Sequence, residues 1–128
     1  MIKIFISLLF TILFLSSCAQ KQIINSSSAT ILIKTPTMKF YDKGFISKFE
    51  DYTQVQIYSA GKTVLDLKVY KDKICKSTFE CESSKEFNKK YLHYSYKENF
   101  LKLIFDNSKK ETVFRDKEHD ILIKIKKD

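Results

Sequence analysis

Two glycines, one proline and no tryptophan occur in 128 residues. So few glycines leave nothing from which to build a phosphate-cradling loop, which excludes the P-loop and dinucleotide-binding fingerprints. Two histidines, His93 and His119, and three cysteines, Cys18, Cys75 and Cys81, are the whole stock of soft metal ligands. Neither histidine lies near the cysteines in sequence, so a four-ligand zinc centre cannot be assembled from them. No order of serine, histidine and aspartate argues for an acyl-transfer triad. The carboxylates are scattered among lysines, as surface pairs are. No apolar run reaches the roughly 20 residues needed to span a bilayer, and there is no internal repeat. An enzyme, a cofactor and a metal are therefore not expected. What is abundant is lysine: 23 basic residues against 15 acidic ones leave a formal charge of +8.

The first segment is set apart by composition. Lys3 precedes an apolar run from Ile4 to Leu15, interrupted by Ser7 and Thr11 and ending in Leu15-Ser16-Ser17-Cys18. An aliphatic residue and two small residues before a cysteine resemble the lipobox of bacterial lipoproteins. The resemblance implies a diacylglycerol thioether on Cys18, cleavage just before it, and acylation (palmitate or a similar chain) of the new amine. A plainer alternative is an ordinary secretory signal followed by an incidental cysteine, but position, length and flanks all favour the lipobox. Two or three acyl chains anchor a protein stably where one does not. Residues 1–17 then form the signal peptide, and the mature chain has 111 residues and a formal charge of +7. Residues 18–29 read as the lipidated N-terminus and a polar tether, whose last eleven residues reach at most about 36 Å. Residues 30–128 form one folded domain. Ala19 and Gln20 lack the aspartate-type retention signal known from enteric bacteria, which favours the outer membrane, with the domain in the periplasm or at the cell envelope.

From Thr30 onward the pattern is that of strands. Ala29 to Thr35 is β-branched and apolar, and Pro36 stops or bends it. Met38 and Phe40 alternate with polar neighbours, and Asp42-Lys43-Gly44 reads as a turn before Phe45-Ile46. Val55 and Ile57 share one face, and Leu65, Leu67 and Val69 alternate with Asp66 and Lys68. Ser59-Ala60-Gly61 between those two runs predicts an antiparallel hairpin. Ser83 followed by Glu86 has capping-box spacing and predicts a helix carrying Phe87, Tyr91 and Leu92. Residues 99–105 suit a buried helix or a buried strand. Thr112 to Phe114 and Ile121 to Ile125 read as two strands around a charged turn at Asp116 to Asp120. Six or seven short strands with one or two short helices predict a mainly β domain, an antiparallel sandwich or small barrel.

Cys75 and Cys81 are the only thiols left in the mature domain besides Cys18. An exported setting favours pairing them, and the small loop so closed contributes roughly 2–2.5 kcal/mol in the chain-entropy model. A redox site is the sharper alternative, but such sites favour Cys-x-x-Cys at a helix start, and here five residues intervene. His119 lies between Glu118 and Asp120 and reads as part of a solvated turn. Most of Phe40, Tyr41, Phe45, Phe49 and Tyr52 are expected in the core. Tyr94 and Tyr96, alternating with polar residues around Ser95, offer an exposed binding edge instead.

The stretches Ile33-Lys34-Thr35, Lys39 to Ile46 and Val64 to Cys75, followed by Cys81 and Lys85 to Asn88, resemble a family of small envelope lipoproteins from Campylobacter- and Helicobacter-type bacteria. The resemblance covers the lipobox and roughly residues 30–92. It implies a variant immunoglobulin-like β-sandwich with a role in protein–protein contacts at the envelope, and no catalytic motif. The expected partners are the membrane, through the N-terminal lipid, and another envelope protein. An anionic glycolipid or peptidoglycan bound through the basic surface is the alternative, and nucleic acid is not expected outside the cytoplasm. A small β lipoprotein that blocks lysozyme ranks lower, because lysozymes are themselves basic.

Overall fold

The computed structural model describes residues 1–4, 6, 22–77 and 79–128. Cys18 and the lipobox lie outside the described residues. Among those described, no helix is long and apolar enough to cross a membrane. Eight antiparallel strands form a single sheet in the order β6-β5-β4-β3-β2-β1-β8-β7. They are β1 (Asn25–Lys34), β2 (Lys39–Lys48), β3 (Thr53–Ser59), β4 (Lys62–Val69), β5 (Lys73–Cys75), β6 (Cys81–Ser83), β7 (Glu111–Asp116) and β8 (Ile121–Lys127). Two short helices, α1 (Ser84–Tyr91) and α2 (Phe100–Phe105), lie between β6 and β7. The chain is therefore mainly β and antiparallel, with one sheet where the resemblance led to the two sheets of a sandwich.

The period-two pattern explains the core. Residues paired across strands share a face, and the register stacks Ile123, Ile33 and Phe40 in one row. Ile46, Val55 and Leu67 form another, and Thr53, Val69 and Ile74 a third. These side chains are buried apart from the half-buried Phe40, and Phe87, Leu92, Leu101 and Phe105 close over the same side. Each fully buried isoleucine or phenylalanine contributes about 1.5–3 kcal/mol over its exposed state. The cover is helical because its apolar residues recur at helical spacing. In α2, Leu101 and Phe105 face inward four residues apart, whereas Leu103 is exposed. The ambiguous stretch is thus helical over Phe100–Phe105, with Asn99 at its N-cap. In α1 the Ser83 hydroxyl accepts from the Glu86 amide at 3.1 Å, as the capping-box spacing requires.

Two expectations are corrected. Asp42-Lys43-Gly44 is no turn; β2 runs straight through it. The glycine is there for close approach, since a Cβ on Gly44 would lie 2.1 Å from the carbonyl oxygen of Gln56 on β3. The tether is also shorter than expected, because β1 begins at Asn25 and pairs there with Lys48. Serines are weak strand formers, but the Ser26 and Ser47 hydroxyls bond at 3.0 Å and Ser28 donates to Asp128 at 2.8 Å, which holds the strand in register. The predicted hairpin forms as read: Ala60 and Gly61, at φ 51° and 77°, turn β3 into β4. Two left-handed residues in succession match the twist of a hairpin.

Antiparallel pairing gives the molecule two poles. The start of β1, the loop from Phe49 to Tyr52, Tyr70 to Lys73 and the end of β8 lie at one. The hairpin at Pro36, the Ala60-Gly61 turn and the β7–β8 turn lie at the other.

Candidate functional site

One side of the sheet is filled by the helical cover; the other is open. On β2, β1, β8 and β7 the side chains of the open side are exposed or half-buried, Ser47 excepted. Strand alternation dictates which residues these are. Burying Ile31 and Ile33 turns Thr30, Leu32 and Lys34 outward, and burying Ile123 and Ile125 does the same for Leu122, Lys124 and Lys126. The register then lines up Val113, Lys124, Leu32 and Tyr41 across four strands, and Glu111, Lys126, Thr30 and Lys43 in the next row. A groove of about 400 Å³ lies here, with Leu32, Tyr41 and Val113 as its apolar part and Lys124, Lys126 and Glu111 as its charged part. Tyr41 is 68% exposed, Val113 56% and Phe45 45%. Those values make Tyr41 and Phe45 exceptions to the expected aromatic core. They belong to the outward half of the alternation, where Phe45 meets Tyr58 edge to face at 5.9 Å.

A second constellation sits at the pole opposite the start of β1. The loop after α1 brings His93 onto His119 of the β7–β8 turn, with ring centroids 3.6 Å apart. His119 Nδ1 lies 2.7 Å from the Asp116 carboxylate, which also accepts from the Tyr96 hydroxyl at 2.5 Å. The Tyr96 hydroxyl, and next to it His119, hold the Asp116 carboxyl down at about 2. Burial, and then the bond to Asp116, push the Tyr96 hydroxyl well above its usual value. His93 Nδ1 accepts from the Ser95 amide at 3.2 Å, so the Ser95 hydroxyl, 2.6 Å away, is the donor to it. A serine thus meets a histidine, but the carboxylate orients the other ring, so the relay of a triad is not in place. The arrangement clasps the loop following α1 to the β7–β8 hairpin.

No family model, no curated protein and no solved structure matches the chain.

Cys75 and Cys81 are joined, as expected of the only two cysteines in residues 30–128. They face each other as cross-strand neighbours of β5 and β6, with Cα atoms 4.0 Å apart. The bond closes the loop that carries Phe79, which is 95% exposed. His119 departs from the expected solvated turn: it is half-buried and partnered by Asp116, His93 and Tyr96. Among the described residues no group of three or more His, Cys, Asp or Glu side chains could hold a metal ion. Of the expected exposed tyrosine edge, Tyr94 is 73% exposed, whereas Tyr96 turns inward to Asp116 and Phe100. The pairing of His93 with His119 had no signal in the sequence, because 25 residues separate them. The open face did have one: Lys124 and Lys126 alternating with isoleucines, and Tyr41, Lys43 and Phe45 alternating along β2.

Proposed function

We propose that this protein is a lipid-anchored component of the bacterial cell envelope, held through Cys18 and acting as a non-catalytic protein-interaction module. The observation that carries the interaction reading is the open sheet face. A sheet of this size normally buries one face in its own core; large apolar side chains left on the other, such as Tyr41, Phe45 and Val113, are characteristic of a contact surface. The lipoprotein part rests on the lipobox resemblance, and the outer membrane is favoured by Ala19 and Gln20. The immunoglobulin-like relationship remains a proposal from the family resemblance. The interaction reading does not require it, because a single sheet with one bare face presents the same kind of surface.

The start of β1 sharpens the anchoring picture. With lipid on Cys18, residues 19–24 alone separate the membrane from β1, a reach of about 20 Å. So short a leash sets the pole containing Asn25 toward the bilayer and leaves the open face standing to the side.

Covalent crosslinking of the tagged, lipidated protein in intact cells, followed by purification under denaturing conditions, tests the reading. A single envelope protein recovered as the adduct is expected. Adducts to glycolipid or peptidoglycan alone would replace it with the second reading, a basic surface that binds anionic envelope polymers, which the lysines of the open face favour.

A further inference from the structure

The half of the open face formed by β2, β1, β8 and β7 is strongly unbalanced in charge. Lys34, Lys39, Lys43, Arg115, Lys124 and Lys126 all point to this side by the strand register. Two side-chain carboxylates oppose them, those of Glu111 and Asp128. Asp128 is already engaged, 2.7 Å from Lys43 and 2.8 Å from the Ser28 hydroxyl, which lowers its pKa. The apolar groups are interleaved with this charge. Across the central row Lys124 stands between Val113 and Leu32, so no continuous strip of hydrocarbon is presented.

We propose that this face docks the acidic face of a second, folded protein, a reading that rests on the interaction-module function above. Three considerations select that occupant. Charge complementarity calls for carboxylates, which steer encounter and fix register. A second copy of this chain would bring a net excess of four positive charges against another four across a two-fold axis, where like-charge juxtaposition opposes association. Size favours a folded domain. The face continues onto β3 and β4, where outward Asp66 and Lys68 balance each other, and the six strands, about 4.8 Å apart with up to five outward residues each, span at most about 650 Å², against the roughly 800 Å² per partner of a standard protein interface. An inserted acyl chain would need the unbroken apolar strip that Lys124 interrupts.

The test places a photo-crosslinking amino acid at Thr30, between Lys43 and Lys126 on the open face. A control places it at Lys85, exposed on α1 on the covered side. Both are made in the full-length, lipidated protein in the cells that produce it, and the adducts are sequenced. The expected result is an adduct from Thr30 to one protein, at a segment rich in Asp and Glu. The paired reversal Lys124→Glu and Lys126→Glu should cut its yield about tenfold or more without changing the thermal midpoint of the purified protein. An adduct to another copy of this chain, to lipid or glycan, or to a segment without acidic excess overturns the proposal. So does a yield indifferent to charge reversal. A protein captured from Lys85 and not from Thr30 removes the basic-face docking while leaving the interaction module intact. No protein captured from either position removes both.

Discussion

Gly44 shows how much a single residue decides here. Its neighbours on either side, Ala29 and Ile57, leave it in the middle of the sheet, where glycine is ordinarily a weakness. The absent side chain is what lets the β3 backbone come near, because a Cβ would fall 2.1 Å from the Gln56 carbonyl oxygen and 3.1 Å from Ile31 Cδ1. The backbone cannot yield as a flexible side chain would, so Gly44→Ala is expected to destabilise the domain by about 2 kcal/mol or more. Urea unfolding followed by circular dichroism measures this; an unchanged midpoint would show that β3 shifts without cost. Asp116 gives the second prediction at this scale. Its carboxyl sits at about 2 instead of 3.8, through the Tyr96 hydroxyl first and then His119. A depressed carboxyl stabilises the fold fully above its ordinary value and loses that contribution as pH falls through the native one. Stability should therefore decline between about pH 4 and pH 2, and Asp116→Asn should flatten that part of the profile. Tyr96→Phe, which removes the largest cause, should move the Asp116 titration back toward its ordinary value in a carboxyl-carbon NMR experiment.

At the scale of elements, legibility followed how local the determining chemistry is. Ser83 and Glu86 announce α1 because the cap is made within three residues, and Ser83→Ala should cost about 1 kcal/mol in thermal or urea unfolding. Leu65, Leu67 and Val69 announce β4 for the same reason, since alternation is a property of the strand alone. The disulfide was legible because Cys75 and Cys81 are the only cysteines in residues 30–128. Replacing Cys75 and Cys81 by serine should lower stability by about 2–2.5 kcal/mol, and reduction should produce a loss of the same size in the unmodified protein. Tyr41 and Phe45 were misplaced although local alternation turns them outward; the other misreadings concern partners distant in sequence. Asp42-Lys43-Gly44 looks like a turn until β3 is laid against it. Asn25 to Ser28 looks like a tether until Lys48, Ser47 and Asp128 pair with it. The helical cover over one face leaves a single sheet where alternation alone is equally compatible with two. His93 and His119 meet only because α1 ends beside the β7–β8 turn, which no local pattern records.

The whole molecule adds a direction that no element has by itself. Glu50, in the loop joining β2 to β3, lies at the pole where β1 begins, and Ser59, at the far end of β3, lies at the other. Seven residues of strand put these poles about 20 Å apart. On the proposed attachment through Cys18, a six-residue leash would hold the first pole at the headgroups and keep the second in water. Single-cysteine variants Glu50→Cys and Ser59→Cys, labelled with a fluorophore in the lipidated protein on vesicles, make the orientation measurable. Headgroup nitroxides should quench the label at position 50 strongly and the label at position 59 little. Equal strong quenching would mean that the domain lies on its side, with a sheet face against the bilayer, and the docking surface would then be turned to lipid. Equal weak quenching would mean that the domain stands off the membrane, so that β1 must unzip from Lys48 to lengthen the leash or the attachment is not at Cys18. Strong quenching confined to position 50 would leave the basic face free along its whole height, within reach of a neighbouring envelope protein held in the same membrane.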